Sequence, residues 1–583
     1  SGPLPQFEVF ANGERLQIAR WPNTNRDAPG GNTWAHIATA PLNSLDRFSH
    51  SALPKLSSKS LDEAVIHIWP ASDWFDQYVG IRSISSGNIR LADRVSYPIE
   101  AGRRFAIINA KELLDAPGEW HYSPAKTELR IIPIAGSALR QPVVSYLDNV
   151  ISMRYAQNVH LKDLTIEFSR KTAATIFQGH GNIIANCIVR NAGGFGIHVN
   201  HGAEHSVIDS EIYGTGYGGV FLRGGDRKTL KAANHTAVYN NIHDTGTLLH
   251  GTMAALNLQG VGNTARENHI HHTPSMAVWI KGNDHLIEHN DIHNACEQNG
   301  DCGAVYTGRD WTFHGNLIRY NRIHDIYGYG MKSIDAETGV PEYVTPYDTR
   351  GVYLDDAVGG ISVIGNLFYR IPDRMLQIGG GRNHLIDNNV FVTNSYAIWM
   401  DARWPDFPWE TTMMSRLNAV PYKSALWRSR YPRLAKPMNN IRWPEDNRIT
   451  RNIIIAEPSA PGMLVTFRYK IPPANLEIDN NIVWNHGDTV MLDFHLLKGK
   501  TVGLRDWATW QEMTGHDKHS LLVDPLFVDA ANGNFGLRAN SPAHKLGIKE
   551  IPIKDSLKSY KQLQKSSKTS PSAPNAASGV QVD

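Results

Sequence analysis

Gly351-Val-Tyr-Leu-Asp355, Met375-Leu-Gln-Ile-Gly379 and Ala397-Ile-Trp-Met-Asp401 are copies of one five-residue phrase: a small or slender residue first, aliphatic residues second and fourth, variable residues third and fifth. Upstream the same phrase stands at Gly196-Ile-His-Val-Asn200, Gly219-Val-Phe-Leu-Arg223, Ala255-Leu-Asn-Leu-Gln259, Ala277-Val-Trp-Ile-Lys281 and Ala304-Val-Tyr-Thr-Gly308. Alternation with period two is the mark of a strand that buries one face. A second phrase, Asn-x-Ile/Val/Phe, lies between the copies. It begins at Asn186, Asn240, Asn268, Asn290, Asn321, Asn366, Asn389, Asn452 and Asn481, mostly 22 to 31 residues apart. A strand and a turn asparagine repeated at that interval describe the coil of a solenoid, in which aliphatic columns stack inside and asparagines pair with their copies above and below. The sequence therefore predicts an all-β chain, a right-handed parallel β-helix. A β-propeller needs longer blades with Trp-Asp or Gly-rich signatures, and a leucine-rich repeat needs a leucine framework; neither is present.

Working outward, residues 1–145 lack the coil phrase and read as a β-rich accessory module. Phe7-Glu-Val-Phe-Ala-Asn-Gly13 reads as a strand entering a hairpin and Glu119-Trp-His-Tyr122 as another strand. The helix is expected over 146–563, interrupted at about 404–440 by a helical loop insertion rich in Trp and Pro and folded over one face. Residues 564–583, dominated by Ser, Pro, Ala and Lys, read as a disordered tail.

Composition narrows the function. The 583 residues carry 58 Lys and Arg against 56 Asp and Glu, a formal charge of +2, which disfavours a nucleic-acid binder. No apolar run is long enough to span a membrane. The chain opens at Ser1-Gly2-Pro3 without a signal segment, as expected of an exported protein, secreted or periplasmic, whose signal has been removed. Of the three cysteines, Cys296 and Cys302 are close enough to close a small loop in an oxidising compartment, or are two buried thiols. Fifteen Trp and twenty-one Tyr are many for a chain whose Leu, Ile and Val already supply a core. Surplus aromatics fit sugar stacking.

The outward positions form columns. The third carries His198, Phe221, Asn257, Trp279, Tyr306, Tyr353, Gln377 and Trp399; the fifth carries Asn200, Arg223, Gln259, Lys281, Gly308, Asp355, Gly379 and Asp401. Asp355 and Asp401 lie two strand spacings of ~4.8 Å apart with Gly379 between them, so their backbones stand about 10 Å apart. Two carboxyl groups flanking a bare slot beside Tyr353, Gln377 and Trp399 are what glycosidic cleavage needs: an acid for the leaving oxygen and a carboxylate for water or the sugar. With that separation the expected outcome is inversion, Asp401 acting as acid and Asp355 as base. Asp356 and Asp310 sit near the same edge and can replace one of the pair or tune it. Tyr306, Trp279, Arg403, Lys281 and Arg309 complete the candidate substrate surface.

Plainer roles compete with each of these. Outward aromatics can be packing beneath the accessory module or the insertion, Asp355 can be a turn residue bonding its own backbone, and Asp401 can be surface charge. Asp301 precedes its strand and reads as a turn residue at the opposite end from Asp355. His243, His271, His293 and His324 recur in register, but no carboxylate set with ligand spacing accompanies them, so they read as polar turn residues and no metal or other cofactor is expected.

Asn12-Gly13 with Ala19-Arg-Trp-Pro-Asn23, Gly303-Ala-Val-Tyr-Thr-Gly-Arg-Asp-Trp311, Gly351-Val-Tyr-Leu-Asp-Asp356, Gly379-Gly-Gly-Arg382, Met400-Asp-Ala-Arg403, and Asp524-Pro-Leu-Phe527 with Ser541-Pro-Ala543 resemble bacterial right-handed β-helix proteins similar to glycoside hydrolase family 141. The resemblance runs over nearly the whole chain. It implies a glycosidase of the kind that includes α-L-fucosidase and xylanase activities, with two aspartates that fall on Asp355 and Asp401. Strand Gly351–Asp355 also resembles the nucleophile strand of family 120 β-xylosidases, but where those place an acid on the next strand this chain has Gly379. The stretch Lys332 to Thr349 is an insertion relative to family 141, and the family's first helix coils are absent before Pro3.

The expected function is hydrolysis of a glycosidic bond in a plant, algal or host glycan, the partner being an oligosaccharide or polysaccharide. A polysaccharide lyase or uronate epimerase is the first alternative, drawing on Lys281, Arg309, Arg403 and Tyr353 for base and cation. A catalytically silent glycan-binding module is the second.

Overall fold

A computed structural model describes residues 4–5, 7–25, 33–134, 142–393, 395–402, 408–436, 438, 441, 444–457, 465–469, 476–487, 491–496, 500–504 and 507–553. From Ile151 the chain winds through three sheets in turn, once per coil. The first sheet has 13 strands, running from Ile151–Arg154 to Lys500–Leu504, and the second and third have 11 each. All their pairings are parallel except the last of the first sheet, where Met491–Leu496 and Lys500–Leu504 pair antiparallel. This is the right-handed parallel β-helix expected from the repeat. The register matches the alignment of the phrases: Ile197 pairs with Val220, Val220 with Leu256, Leu256 with Val278, Val278 with Val305, Val305 with Val352, Val352 with Leu376 and Leu376 with Ile398. Every member of that column is at most 1% exposed. At about 1.5–3 kcal/mol for each fully buried aliphatic side chain, such columns drive the stacking.

Two polar columns hold the corners. Between the second and third sheets run Asn240, Asn268, Asn290, Asn321, Asn366, Asn389, Asn452 and Asn481, all buried. Each from Asn268 on accepts, through its side-chain oxygen, the backbone N–H of the preceding asparagine, and Asn240 accepts that of Ser210. Asn321 Oδ1, for example, takes the N–H and the Nδ2 of Asn290 at 2.9 Å each, while Asn321 Nδ2 donates to Ile287 O and Asn366 Oδ1. Every donor and acceptor of the buried Asn321 amide is thus satisfied. The column ends at Ser520, whose hydroxyl receives the N–H of Asn481. One sequence assignment shifts by a residue. Ile188 pairs with Glu211, which pairs with Asn241, so Cys187 and Ser210, not Asn186, occupy the ladder position in the early coils. Asn186 faces Asp163 at the surface.

The corner between the first and second sheets mixes Asn182, His205, His235, Asn263, His285, Asn316, His384 and Asn447. Here a histidine Nδ1 replaces the amide oxygen as acceptor, as where Asn263 N–H reaches His285 Nδ1 at 3.1 Å. Outside the third sheet, the rings of Tyr213, His243, His271, His293, His324 and Tyr369 stack with centroids 4.6–5.1 Å apart. Among the described residues no group of three His, Cys, Asp or Glu is arranged to hold a metal ion, and no helix is long and apolar enough to cross a membrane.

Before residue 145 the chain forms three smaller sheets with their own core, including Phe48, Ile66, Ile68, Phe105 and Ile107. Strands Val9–Ala11 and Glu14–Arg15 pair about the Asn12-Gly13 turn, and Glu119–Ser123 is a strand. This part is bolted to the helix by buried polar contacts. Asp76 accepts the N–H groups of His250 and Gly251, Tyr78 donates to Leu248 O, and Arg104 bonds both Asp73 and Gln298 O. The hairpin Gly330–Ile334 with Pro341–Val344, which overlaps the stretch read as an insertion, leans on the same module through Tyr343, which donates to Gly102 O. The later insertion contains helices Glu410–Asn418 and Ala425–Arg430, whose Met413, Leu417 and Trp427 pack with Trp311 and Ala357. Cys296 and Cys302 form a disulfide and Cys187 is a buried free thiol. The tail expected at 564–583 lies outside the described residues.

Two outcomes follow from the corners. Asn321→Ala removes the acceptor for both Asn290 donors and should lower stability to urea by about 1–3 kcal/mol at neutral pH, the cost of stranding buried polar groups. Burial pushes His235 down to about 3, His285 to about 4 and His384 to about 3 from an ordinary 6.5. The unfolded chain therefore protonates first, so stability is complete above about pH 6.5 and falls as pH drops towards 4. His285→Asn supplies an acceptor that does not titrate. Urea curves at pH 6.5 and 4.5 should show its acid loss reduced by up to about 1.4 kcal/mol per pH unit relative to the parent; an unchanged loss would show that this imidazole is not the group being titrated.

Candidate active site

Strands Cys302–Gly308 and Thr349–Asp355 pair in the first sheet with Tyr306 opposite Tyr353 and Gly308 opposite Asp355. Their outer face floors a cavity of about 480 Å³ whose lining includes Asp301, Tyr306, Arg309, Tyr353, Asp355 and Asp356. Period-two alternation puts Tyr306 and Tyr353 on that face, with rings meeting edge to face at 5.6 Å. The Tyr306 hydroxyl donates to Asp355 Oδ2 at 3.0 Å, and Tyr353 donates to Asp301 Oδ1 at 3.2 Å. Each tyrosine thus holds one carboxylate at the cavity. Asp355 also accepts the N–H of Asp356 at 2.7 Å, so it both fixes the turn and presents a carboxylate. Asp356 is paired with Arg309 at 2.5 Å, and the Arg309 guanidinium lies over the Trp409 ring at 4.2 Å. Burial, reinforced by Asp355 and Asp356, raises the Tyr306 phenol well above its ordinary value. At neutral pH it is a donor and not a base.

The walls are aromatic and come from three parts of the chain. Trp279 stands on the preceding coil, its ring 6.0 Å from that of Tyr306. Trp74, Phe75 and Tyr97 form a cluster on the N-terminal module with centroids 5.2–5.8 Å apart, and Trp409 comes from the insertion. Sequence reasoning missed Trp74, Phe75 and Tyr97, because nothing local ties them to the repeat. The adjacent aromatics bracketed by Asp73 and Asp76 were the only available signal.

The remaining candidates are placed as follows. Tyr353 and Gln377 are not exposed as the outward columns suggested: they are 1% and 3% exposed. Arg350 covers them, its guanidinium 4.4 Å from the Tyr353 ring centroid and its Nε on Gln377 Oε1 at 2.5 Å. Asp401 is in the expected register, opposite Gly379, and its Oδ2 accepts from Gln377 Nε2 and Trp399 Nε1 at 3.0 Å each. It is linked to Tyr353 through Gln377 and Arg350 but is not among the described residues lining the cavity. Asp301 is a turn residue with φ of 49°, as read, yet Tyr353 brings its carboxylate to the same cavity as Asp355. Asp310 is buried; it accepts the N–H and hydroxyl of Thr312 and pairs with Arg227 at 3.4 Å, facing an adjoining groove together with Lys281. Arg403 lies outside the described residues.

Comparison with known proteins bears on the fold. Residues 149–252 and 254–403 match the family model described as a right handed beta helix region. No curated protein sequence matches the chain. Among solved structures, one titled a glycoside hydrolase is 14% identical, covers 66% of this chain and 78% of its own, and has a TM-score of 0.54. A mannuronic acid specific polysaccharide family 6 lyase from human gut microbiota is 12% identical over 70% of this chain and 89% of its own, at a TM-score of 0.37. The Azotobacter vinelandii mannuronan C-5 epimerase A-module is 10% identical over 63% and 91%, at 0.34. The chain is a right-handed parallel β-helix protein, and it shares that fold with the structure titled a glycoside hydrolase. At these identities the likeness is one of fold.

Proposed function

We propose that the chain hydrolyses a glycosidic bond in an oligosaccharide or polysaccharide, with Asp355 as its central carboxylate. The observation that carries this is the buried Asp355 carboxylate, held by Tyr306 in an aromatic-walled cavity that Asp301 and the Arg309-paired Asp356 also line. Trp279, Trp74 and Trp409 offer faces for sugar rings, whose C–H groups stack on aromatic surfaces. Asp355 then activates water or attacks the anomeric carbon, and a second aspartate protonates the leaving oxygen. Asp401, two strand spacings away in the column, is the partner implied by the resemblance to glycoside hydrolase family 141. Asp301 is favoured by a different observation, since it shares the cavity with Asp355. Tyr306, raised by burial and donating to Asp355, is poorly suited to be the base that a lyase needs, so that alternative rests on Lys281, Arg309, Arg403 and Tyr353. The Cys296–Cys302 disulfide fits an exported protein.

The test is a screen of aryl-glycosides and polysaccharides followed by single variants. New reducing ends without the ultraviolet absorbance of an unsaturated uronate are expected. Asp355→Asn should lower turnover by at least ~10² with little change in thermal midpoint, because a proton-transfer or nucleophilic step is lost and not packing. Of Asp301→Asn and Asp401→Asn, the one that falls comparably identifies the acid, and the other should lose less than about tenfold. Near-normal turnover in Asp355→Asn would sink the assignment, and unsaturated products would convert the enzyme to a lyase.

A further inference from the structure

Beside the cavity, on the same sheet face, lies a groove of about 380 Å³ that the chemistry above does not use. Two residues along each strand carry the surface from one to the other. Trp279 walls the cavity and Lys281 the groove, and Tyr306 floors the cavity and Gly308 the groove. Two residues of strand span about 6.6 Å, so a chain of sugars lying along this face passes from one depression into the next.

The groove is built differently from the cavity. Its floor is glycine: Gly224, Gly260 and Gly282 pair in register on successive coils. Gly260 and Gly282 have φ of 107° and 123°, and a Cβ there would stand 1.9 and 2.0 Å from the carbonyl oxygen of the preceding glycine in the column. No other residue fits, so the floor is bare by construction. Its rim is cationic. Arg223, Arg227, Lys281 and Arg416 line it, against one carboxylate, Asp310, among the described lining residues. Asp310 neutralises Arg227 only. Among the described residues no carboxylate pairs with Arg223, Lys281 or Arg416. Arg416 is aimed here from the helix Glu410–Asn418, its guanidinium anchored on Arg309 O at 2.5 Å, and the Lys281 ammonium sits 3.4 Å from the Trp279 ring centroid. Burial and the nearby Arg416 bring Lys281 down to about 8. Cations that no described carboxylate neutralises thus line a glycine floor, Arg416 repelling Lys281, and an anion placed among them is held by charge-assisted hydrogen bonds.

We propose that this groove is a subsite for an anionic group of the glycan, a carboxylate or a sulfate ester, on the sugar unit next to the one held beside Asp355. The inference rests on the cavity being the place where the glycan is cleaved, and it narrows the substrate class to acidic glycans.

Calorimetry on the full-length Asp355→Asn protein tests it, with trigalacturonate, a sulfated trifucoside and neutral xylotriose as probes. At least one anionic probe should bind about tenfold or more tightly than xylotriose, with affinity falling as salt rises. Which anion wins identifies the carboxylate or the sulfate. Arg223→Gln, Arg416→Gln and Lys281→Gln should each weaken that probe by about three- to tenfold, and the two arginine variants, both at exposed side chains, should leave xylotriose unchanged. Equal affinity for all three probes, or anion binding indifferent to the three substitutions, overturns the subsite. Hydrolysis of neutral glycans by the parent enzyme alongside that result would leave the proposed activity standing. Conversely, charge-dependent binding without new reducing ends from any glycan would keep the subsite and remove the hydrolase.

Discussion

The asparagine column is the interaction on which the rest of this structure depends. A parallel coil must turn sharply while its backbone is buried, and each turn leaves N–H and C=O groups that no strand can pair. One side chain with two donors and a two-lone-pair acceptor, repeated at the strand spacing, answers each turn with the copy from the next coil. The spacing it enforces fixes strand register, which keeps aliphatic columns inside and sends Tyr306, Tyr353 and Asp355 outside. Histidine can replace asparagine at the other corner because neutral Nδ1 is an equally good acceptor. The exchange makes part of the scaffold sensitive to acid.

Much of this is legible in the sequence alone, because the period of two and the recurrence of asparagine are local signals. The eight strand phrases align residue for residue with the observed pairing. The misplacement of Asn186 shows the limit of such matching: where Cys187 and Ser210 fill the ladder, a nearby asparagine imitates the phrase one residue early. The site was legible only in its floor. Asp355, Tyr306 and Trp279 follow from alternation, whereas the burial of Tyr353 and Gln377 depends on Arg350, which lies at the start of its strand, outside the five-residue phrase. The walls were hidden for a stronger reason. Trp74 and Tyr97 reach the cavity from nearly two hundred residues before Trp279, and no periodicity connects chain segments that meet only through tertiary packing.

The division of labour between floor and walls explains how a monotonous scaffold carries a specific site. Coils supply a flat ladder on which a carboxylate can be set with a spacing quantised by the strand repeat. A flat ladder alone does not exclude water from a sugar. Here the module before residue 145 and the insertion after Asp401 raise aromatic walls beside Tyr306 and Asp355, so the candidate site lies where three pieces of chain meet.

The insertion has a mechanical side as well. A solenoid whose coils touch only their neighbours behaves as a one-dimensional chain, free to fray from its ends one coil at a time. The segment between Asp401 and Asn447 does not respect that order: Arg416 holds Arg309 O, Trp427 donates to Lys228 O, and Tyr431 donates to Asp284. It works as a splint across the flank of the helix, tying late coils to coils much earlier in the chain. Peeling the late coils away would first have to release the splint, so its contacts convert part of a ladder that could fray rung by rung into a block that opens together.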